Sequence, residues 1–157
     1  MAGGSKGKYR SEGAGVKTLD RPSNGIEKGV FQNCKPESFD FVLEGGSIES
    51  DGKGTILTTS ECLLSKNRNP EFLKPEIENI LKKNFGAERV LWLNHGYLAG
   101  DDTDSHIDTL ARFCDENTVV YTGCNDPGDE HFGALQKMKY ELQQFKNGRG
   151  NPYQLME

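Results

Sequence analysis

The apolar residues of this chain change period in the same order twice, and that repetition restricts the architectures open to it. Phe39-Asp40-Phe41-Val42-Leu43 reads as a strand, Ser50-Asp51-Gly52-Lys53-Gly54 as a hairpin turn, and Thr55-Ile56-Leu57-Thr58-Thr59 as the returning strand. Asn69-Pro70 signals a helix start. Phe72, Leu73, Ile77, Ile80, Leu81 and Phe85 keep helical spacing, Pro75 forces a fresh first turn, and Gly86 supplies the stop. A third strand is predicted at Arg89-Val90-Leu91-Trp92-Leu93. The second half repeats the order: a strand over residues 106–113, a turn at Asp115-Glu116-Asn117 and a strand over residues 118–122. A helix then carries Phe132, Leu135, Met138, Leu142 and Phe145 on one face, Asn147-Gly148 ends it, and Tyr153-Gln154-Leu155 reads as a last strand. Each half is strand, strand, helix, strand. Such units bury their faces against one another and ordinarily come in more than two copies, so the expectation is an α/β fold of two modules, residues 39–93 and 94–157, within a larger modular domain.

Two stretches concentrate chemistry. Leu43-Glu44-Gly45-Gly46-Ser47 ends an apolar strand with a carboxylate and two glycines, and paired glycines permit a sharp bend or a close approach that any Cβ would obstruct. A β-bulge with Glu44 in solvent fits the same five residues. Residues 101–108 (Asp101-Asp102-Thr103-Asp104-Ser105-His106-Ile107-Asp108) hold four carboxylates and an imidazole. On a strand, His106 and Asp108 would share a face, giving a carboxylate that can grip a cation beside an imidazole that moves protons near neutrality. If the two units pack about an axis, Glu44 and His106 would line one central site. A solvated acidic loop also accounts for Asp101 to Asp104 taken singly. A calcium loop fits poorly, because neither the glycine of the sharp turn nor the closing glutamate is in register. A metal site on His106 stays open, although His95 and His131 have no spacing that ties them to it.

Composition narrows the function classes. Only 34% of the 157 residues are hydrophobic and 19 are glycine, which leaves a modest core. Residues 1–38 are the weakest part: the Gly-, Ser- and Lys-rich opening offers too little apolar surface to offset ordering entropy, so the segment is unassigned and expected to be irregular. A net charge of −5 disfavours nucleic acid or an anionic membrane as partner and favours a small cationic ligand. No apolar run reaches membrane-spanning length, and the N-terminus lacks the apolar segment of a signal peptide, so a cytoplasmic protein is expected. Cys34, Cys62, Cys114 and Cys124 form no Cys-x-x-Cys pair, consistent with free thiols in a reducing compartment or with one reactive cysteine among them.

Four runs carry a family resemblance: Glu44-Gly45-Gly46-Ser47-Ile48, Leu57-Thr58-Thr59-Ser60-Glu61-Cys62-Leu63-Leu64, Asn67-Arg68-Asn69-Pro70 and residues 101–108. In order and separation they resemble the agmatine deiminase and bacterial peptidyl-arginine deiminase family, over roughly residues 39–157. The resemblance implies the pentein fold, ββαβ modules closed into a propeller around a central site, of which this chain would supply about two. It implies hydrolysis of a guanidino group to a ureido product and ammonia through a cysteine thiolate, without metal or organic cofactor. For agmatine the product is N-carbamoylputrescine, a step towards putrescine. Carried over, Asp108 grips two guanidinium nitrogens with Glu44 as companion, His106 is the general acid and then the base, Gly45 and Gly46 allow close packing at the axis, and Asp104 joins the substrate-binding set. The family's nucleophilic cysteine and a further substrate-binding aspartate belong to other modules. Cys62, Cys114 and Cys124 lie in the wrong context to replace that nucleophile, so this polypeptide is expected to be poorly active unless further modules or a second chain complete the site. The alternatives are a peptidyl-arginine deiminase, a non-catalytic fragment that binds a cationic ligand or partner chain, and, more weakly, a metal-dependent hydrolase.

Overall fold

The computed structural model describes residues 40–157, so the expectation for residues 1–38 lies outside the described residues. A 3₁₀ turn at Gly45–Ser47 leads into β1 (Ile48–Ser50) and β2 (Thr55–Thr59), followed by a one-turn α1 (Ser60–Leu63), α2 (Lys74–Phe85) and β3 (Arg89–Leu93). After a loop come one-turn α3 (Ile107–Leu110), β4 (Ala111–Phe113), β5 (Thr118–Tyr121), α4 (Phe132–Gln144) and β6 (Gln154–Met156). Two three-stranded sheets result, ordered β1-β2-β3 and β4-β5-β6, each with an antiparallel pair and then a parallel one. No helix among the described residues is long and apolar enough to cross a membrane.

Local chemistry explains most elements. The β1–β2 turn is closed by Asp51, whose Oδ1 accepts from the backbone N–H of Lys53 (2.7 Å) and Thr55 (2.9 Å), while Gly52 and Gly54 take positive φ. In α2, Pro75 occupies the first turn, the Glu76 carboxylate accepts from the Leu73 N–H at 2.7 Å, and Gly86 ends the helix in the left-handed conformation.

The core follows from strand alternation. Along β2, Ile56 faces Ile77 and Leu81 of α2 together with Cys62, Leu63 and Trp92, whereas Leu57 joins Leu93, Ile107, Leu110, Val119, Leu135, Met138 and Leu142 on the other side. All five residues of β2 are buried, so the first sheet is covered on both faces: α2 lies on one, and α3, the second sheet and α4 lie on the other.

Two predicted strands are corrected. Residues 41–44 form no strand, because the Asn69 side chain takes the pairing groups of Val42: its Oδ1 accepts from the Val42 N–H (2.9 Å) and its Nδ2 donates to the Val42 carbonyl (3.0 Å). Residues 106–113 are not one strand either. Ile107 and Leu110, three apart, are both buried, and this spacing draws residues 107–110 into a helical turn before β4 begins at Ala111. Glu44 and His106 thus sit just before their sheets, not in opening strands.

Candidate active site

Glu44 is aimed by its own backbone. Its carbonyl accepts from the Ser47 N–H (3.0 Å) and hydroxyl (2.6 Å), and Ser47 is buried and held in turn by the Thr58 hydroxyl at 2.7 Å. The side chain enters a small charged group: Oε2 stands 2.8 Å from His106 Nε2, 2.7 Å from Arg68 Nε and 3.8 Å from Cys62 Sγ. Burial works to raise the Glu44 pKa, but hydrogen bonds and charge from His106 and Arg68 outweigh it and hold the carboxyl below its ordinary value.

His106 is presented by a knotted loop. The Asp101 carboxylate accepts from the Thr103 N–H and hydroxyl and, at 2.7 Å, from the Ser105 N–H. These bonds overcome burial to hold the Asp101 carboxyl below its usual range. Between them Asp104 and Ser105 take φ values of 56° and 58°, a left-handed pair that non-glycine residues rarely adopt. Arg68 Nη2 donates to the Thr103 carbonyl at 3.0 Å, Nη1 donates to the Asp104 carboxylate, and the Thr59 hydroxyl donates to the Ser105 carbonyl at 2.8 Å.

The helical turn that replaces the expected strand still brings His106 and Asp108 together, over Gly46. A Cβ on Gly46 would lie 2.6 Å from His106 Nδ1 and 2.7 Å from Asp108 Oδ2. Gly45 has no such neighbour. Asp108 is exposed and has no hydrogen-bond partner among the described residues. His106 has Nε2 on Glu44 and no partner there at Nδ1, the atom over Gly46. Among the described residues, one imidazole nitrogen is therefore anchored and the other is open beside an unpartnered carboxylate. Asp104 is engaged by Arg68. His95 pairs with Glu141 (3.0 Å) and His131 with Asp129 (2.6 Å), and neither belongs to the His106 group.

Glu44, Cys62 and His106 place ligand-type atoms within 4.8 Å of one another. The set does not suit a cation. The Arg68 guanidinium already occupies the shared Glu44 oxygen, and burial, reinforced by the Glu44 and Asp104 charges, pushes the fully buried Cys62 thiol up to about 12, against the opposing pull of Arg68. A cavity of about 320 Å³ lies behind the loop, lined by Thr59, Glu61, His95, Tyr97, Asp101 and Asp104 among others, and none of Glu44, His106 and Asp108 lines it.

Sequence reasoning passed over Arg68 as a functional residue, although it lies in a quoted motif. Its side chain is 4% exposed, and bonds to Glu44 and Asp104 overcome burial to strengthen its hold on its proton. The available signal was the need of the largely buried Glu44 carboxylate for a cation.

Known proteins resemble the chain in both sequence and fold. A protein of Legionella pneumophila (strain Paris), provisionally named an agmatine deiminase, is 45% identical over 115 residues, 73% of this chain and 33% of that protein. A crystal structure provisionally assigned as a peptidyl-arginine deiminase is 53% identical with a TM-score of 0.81, covering 88% of this chain and 42% of the other. The agmatine deiminase of C. jejuni, solved with substrate bound, is 44% identical with a TM-score of 0.74, covering 85% and 39%. The chain thus spans about a third of the curated relative's length. The likeness carries the fold: mixed α/β of the pentein propeller type. The profile of Porphyromonas-type peptidyl-arginine deiminases extends the resemblance back from residue 39, and, matched by it over residues 8–157, the chain belongs to that family.

Proposed function

We propose that Glu44, His106 and Asp108 form the acid–base and anchoring part of an active site that hydrolyses a small guanidino compound, agmatine above all, to a ureido product and ammonia. The observation that carries this reading is the convergence of His106 Nδ1 and the Asp108 carboxylate, unpartnered among the described residues, over Gly46, with Glu44 behind the imidazole. A planar guanidinium presents paired N–H groups that a carboxylate accepts side by side, which assigns the grip to Asp108. Glu44 keeps its part as companion to that grip, because Arg68 and His106 both meet the same oxygen, Oε2. Through that oxygen it also orients the imidazole. Asp104, bound to Arg68 and lining the neighbouring cavity, stays in the substrate-binding set.

The chemistry then runs in two balanced halves. A thiolate attacks the guanidinium carbon, His106 gives a proton to the departing nitrogen, and ammonia leaves a covalent thiouronium-type intermediate. The now neutral imidazole takes a proton from water, whose oxygen adds to the same carbon, and the ureido product departs as the thiolate is restored. Cys62 is not assigned the attack, because its thiol is buried and held protonated. The reading places the nucleophile in a further propeller module, with residues 39–93 and 94–157 as two modules of the set. Agmatine is preferred over peptidyl-arginine because the C. jejuni and Legionella relatives carry that name. Cytoplasmic residence and a place in putrescine formation belong to the same reading.

Calorimetry with agmatine tests the anchor: the chain binds, and Asp108→Ala loses most of the heat. Equal binding by parent and variant would remove Asp108 from the site. Ammonia release measured alongside separates binding from turnover. Because the reading places the nucleophile in a further module, binding without turnover is the expected result for this chain, and ammonia release by it would show that one of its own thiols makes the attack.

A further inference from the structure

Arg68 is a guanidinium buried inside a site read as one for guanidinium substrates, and its three contacts have a pattern. Nε donates to Glu44 Oε2 at 2.7 Å, Nη1 to the Asp104 carboxylate, and Nη2 to the Thr103 carbonyl at 3.0 Å. The Glu44 oxygen it uses is the oxygen that faces His106 Nε2 at 2.8 Å. A carboxylate oxygen has two lone-pair directions, so Arg68 and His106 take the close positions at Oε2, and the Cys62 thiol meets the same oxygen at the longer distance of 3.8 Å. The other two contacts end on the left-handed Asp104-Ser105 segment that delivers His106.

We propose that Arg68 is a positioning residue that sets the proton affinity of His106 through the single Glu44 oxygen they share, while bracing the strained turn that presents the imidazole. The charges around His106 are Glu44 at Nε2, Arg68 beyond it, Asp108 across Gly46, Asp101 and Asp104 in its own loop, and the Cys62 thiol beside Glu44. Glu44 alone would draw a proton strongly onto the imidazole. Arg68 shares the carboxylate and so weakens that pull, leaving an imidazole able to release its proton to a leaving group and then to accept one from water. A group that must do both works best with its pKa near the operating pH. Lysine would not serve equally, because a point charge cannot span Glu44, Asp104 and the Thr103 carbonyl with a fixed fork.

The inference rests on reading His106 as the proton carrier only for its consequence, because its test needs no substrate. The His106 ring protons of the intact chain are followed by NMR against pH, with the signal identified by its loss in His106→Asn and folding checked by circular dichroism. Arg68→Gln is expected to raise the His106 midpoint by about one pH unit, and Arg68→Lys to raise it by less than half as much. In a Glu44→Gln background the same Arg68→Gln change should leave the midpoint where Glu44→Gln alone puts it. An unmoved midpoint in folded Arg68→Gln overturns the proposal, and so does a shift that survives in the Glu44→Gln background, since Arg68 would then act by another route. If Arg68→Gln does not fold, the Arg68→Lys titration decides, and no upward movement there overturns it. Loss of agmatine binding or turnover would sink the substrate assignment and leave this result standing.

Discussion

Replacing Gly46 by alanine probes the site through one methyl group. Its Cβ would fall 2.6 Å from His106 Nδ1, 2.7 Å from Asp108 Oδ2 and 3.0 Å from Asp108 Cγ, whereas ordinary contact begins at 3.4 Å. Imidazole and carboxylate must therefore retreat by about 0.8 and 0.7 Å respectively. The imidazole has little room to yield, because its far nitrogen is bonded to Glu44 and Glu44 is held by Arg68. Backbone freedom is not at issue, since Gly46 does not lie in the left-handed region. A displacement approaching 1 Å costs on the order of 10²-fold in a positioned reaction, and overpacking costs about 1–3 kcal/mol of stability. Gly45→Ala is the matched control, because a Cβ there meets nothing within 4 Å. Urea denaturation reads the stability loss and agmatine calorimetry the binding loss. The reasoning is refuted if Gly46→Ala binds and unfolds like the parent, or if Gly45→Ala is impaired to the same degree.

Three further outcomes are expected. The Glu44 carboxyl is held below its ordinary value of 4.5 in the folded chain, so its contribution to stability is present above that value and is lost as pH falls through the folded pKa. Thermal melts from about pH 6 to 3 should therefore fall more steeply for the parent than for Glu44→Gln, and parallel curves would contradict this. With its thiol pushed up to about 12, Cys62 offers about one part in 10⁴ of thiolate at pH 8 and should resist iodoacetamide in the folded chain while exposed Cys114 reacts; rapid native labelling of Cys62, read by mass spectrometry, would show the pocket to be open. Asn69→Ala strips the buried Val42 N–H and carbonyl of their partner and should cost about 3 kcal/mol in urea unfolding. A cost below about 1 kcal/mol would mean that water or a rearranged strand replaces those bonds.

Much of this protein was legible in its residues, because helix and strand periods, glycine stops and the Asp51 turn are local matters settled within a few positions of the chain. Thus Ile77 and Leu81 on one helix, Leu135, Met138 and Leu142 on the other, and the strands at 55–59 and 89–93 stand where their spacing predicts. The residue types at 44, 106 and 108 likewise singled out side chains that the fold brings together, His106 and Asp108 over Gly46 and Glu44 at the imidazole. The misread segments are those where a distant side chain outcompeted local preference. Asn69, 27 positions away, takes the hydrogen bonds that a strand at Val42 would have used, and burial of Ile107 and Leu110 in a core shared by both sheets turns a predicted strand into a helical turn. The division of labour around Glu44 also needed the fold. A carboxylate's role depends on which partners fill its lone pairs, and Arg68 and His106 reach the same oxygen from 24 and 62 positions along the chain, distances over which composition and periodicity carry no information.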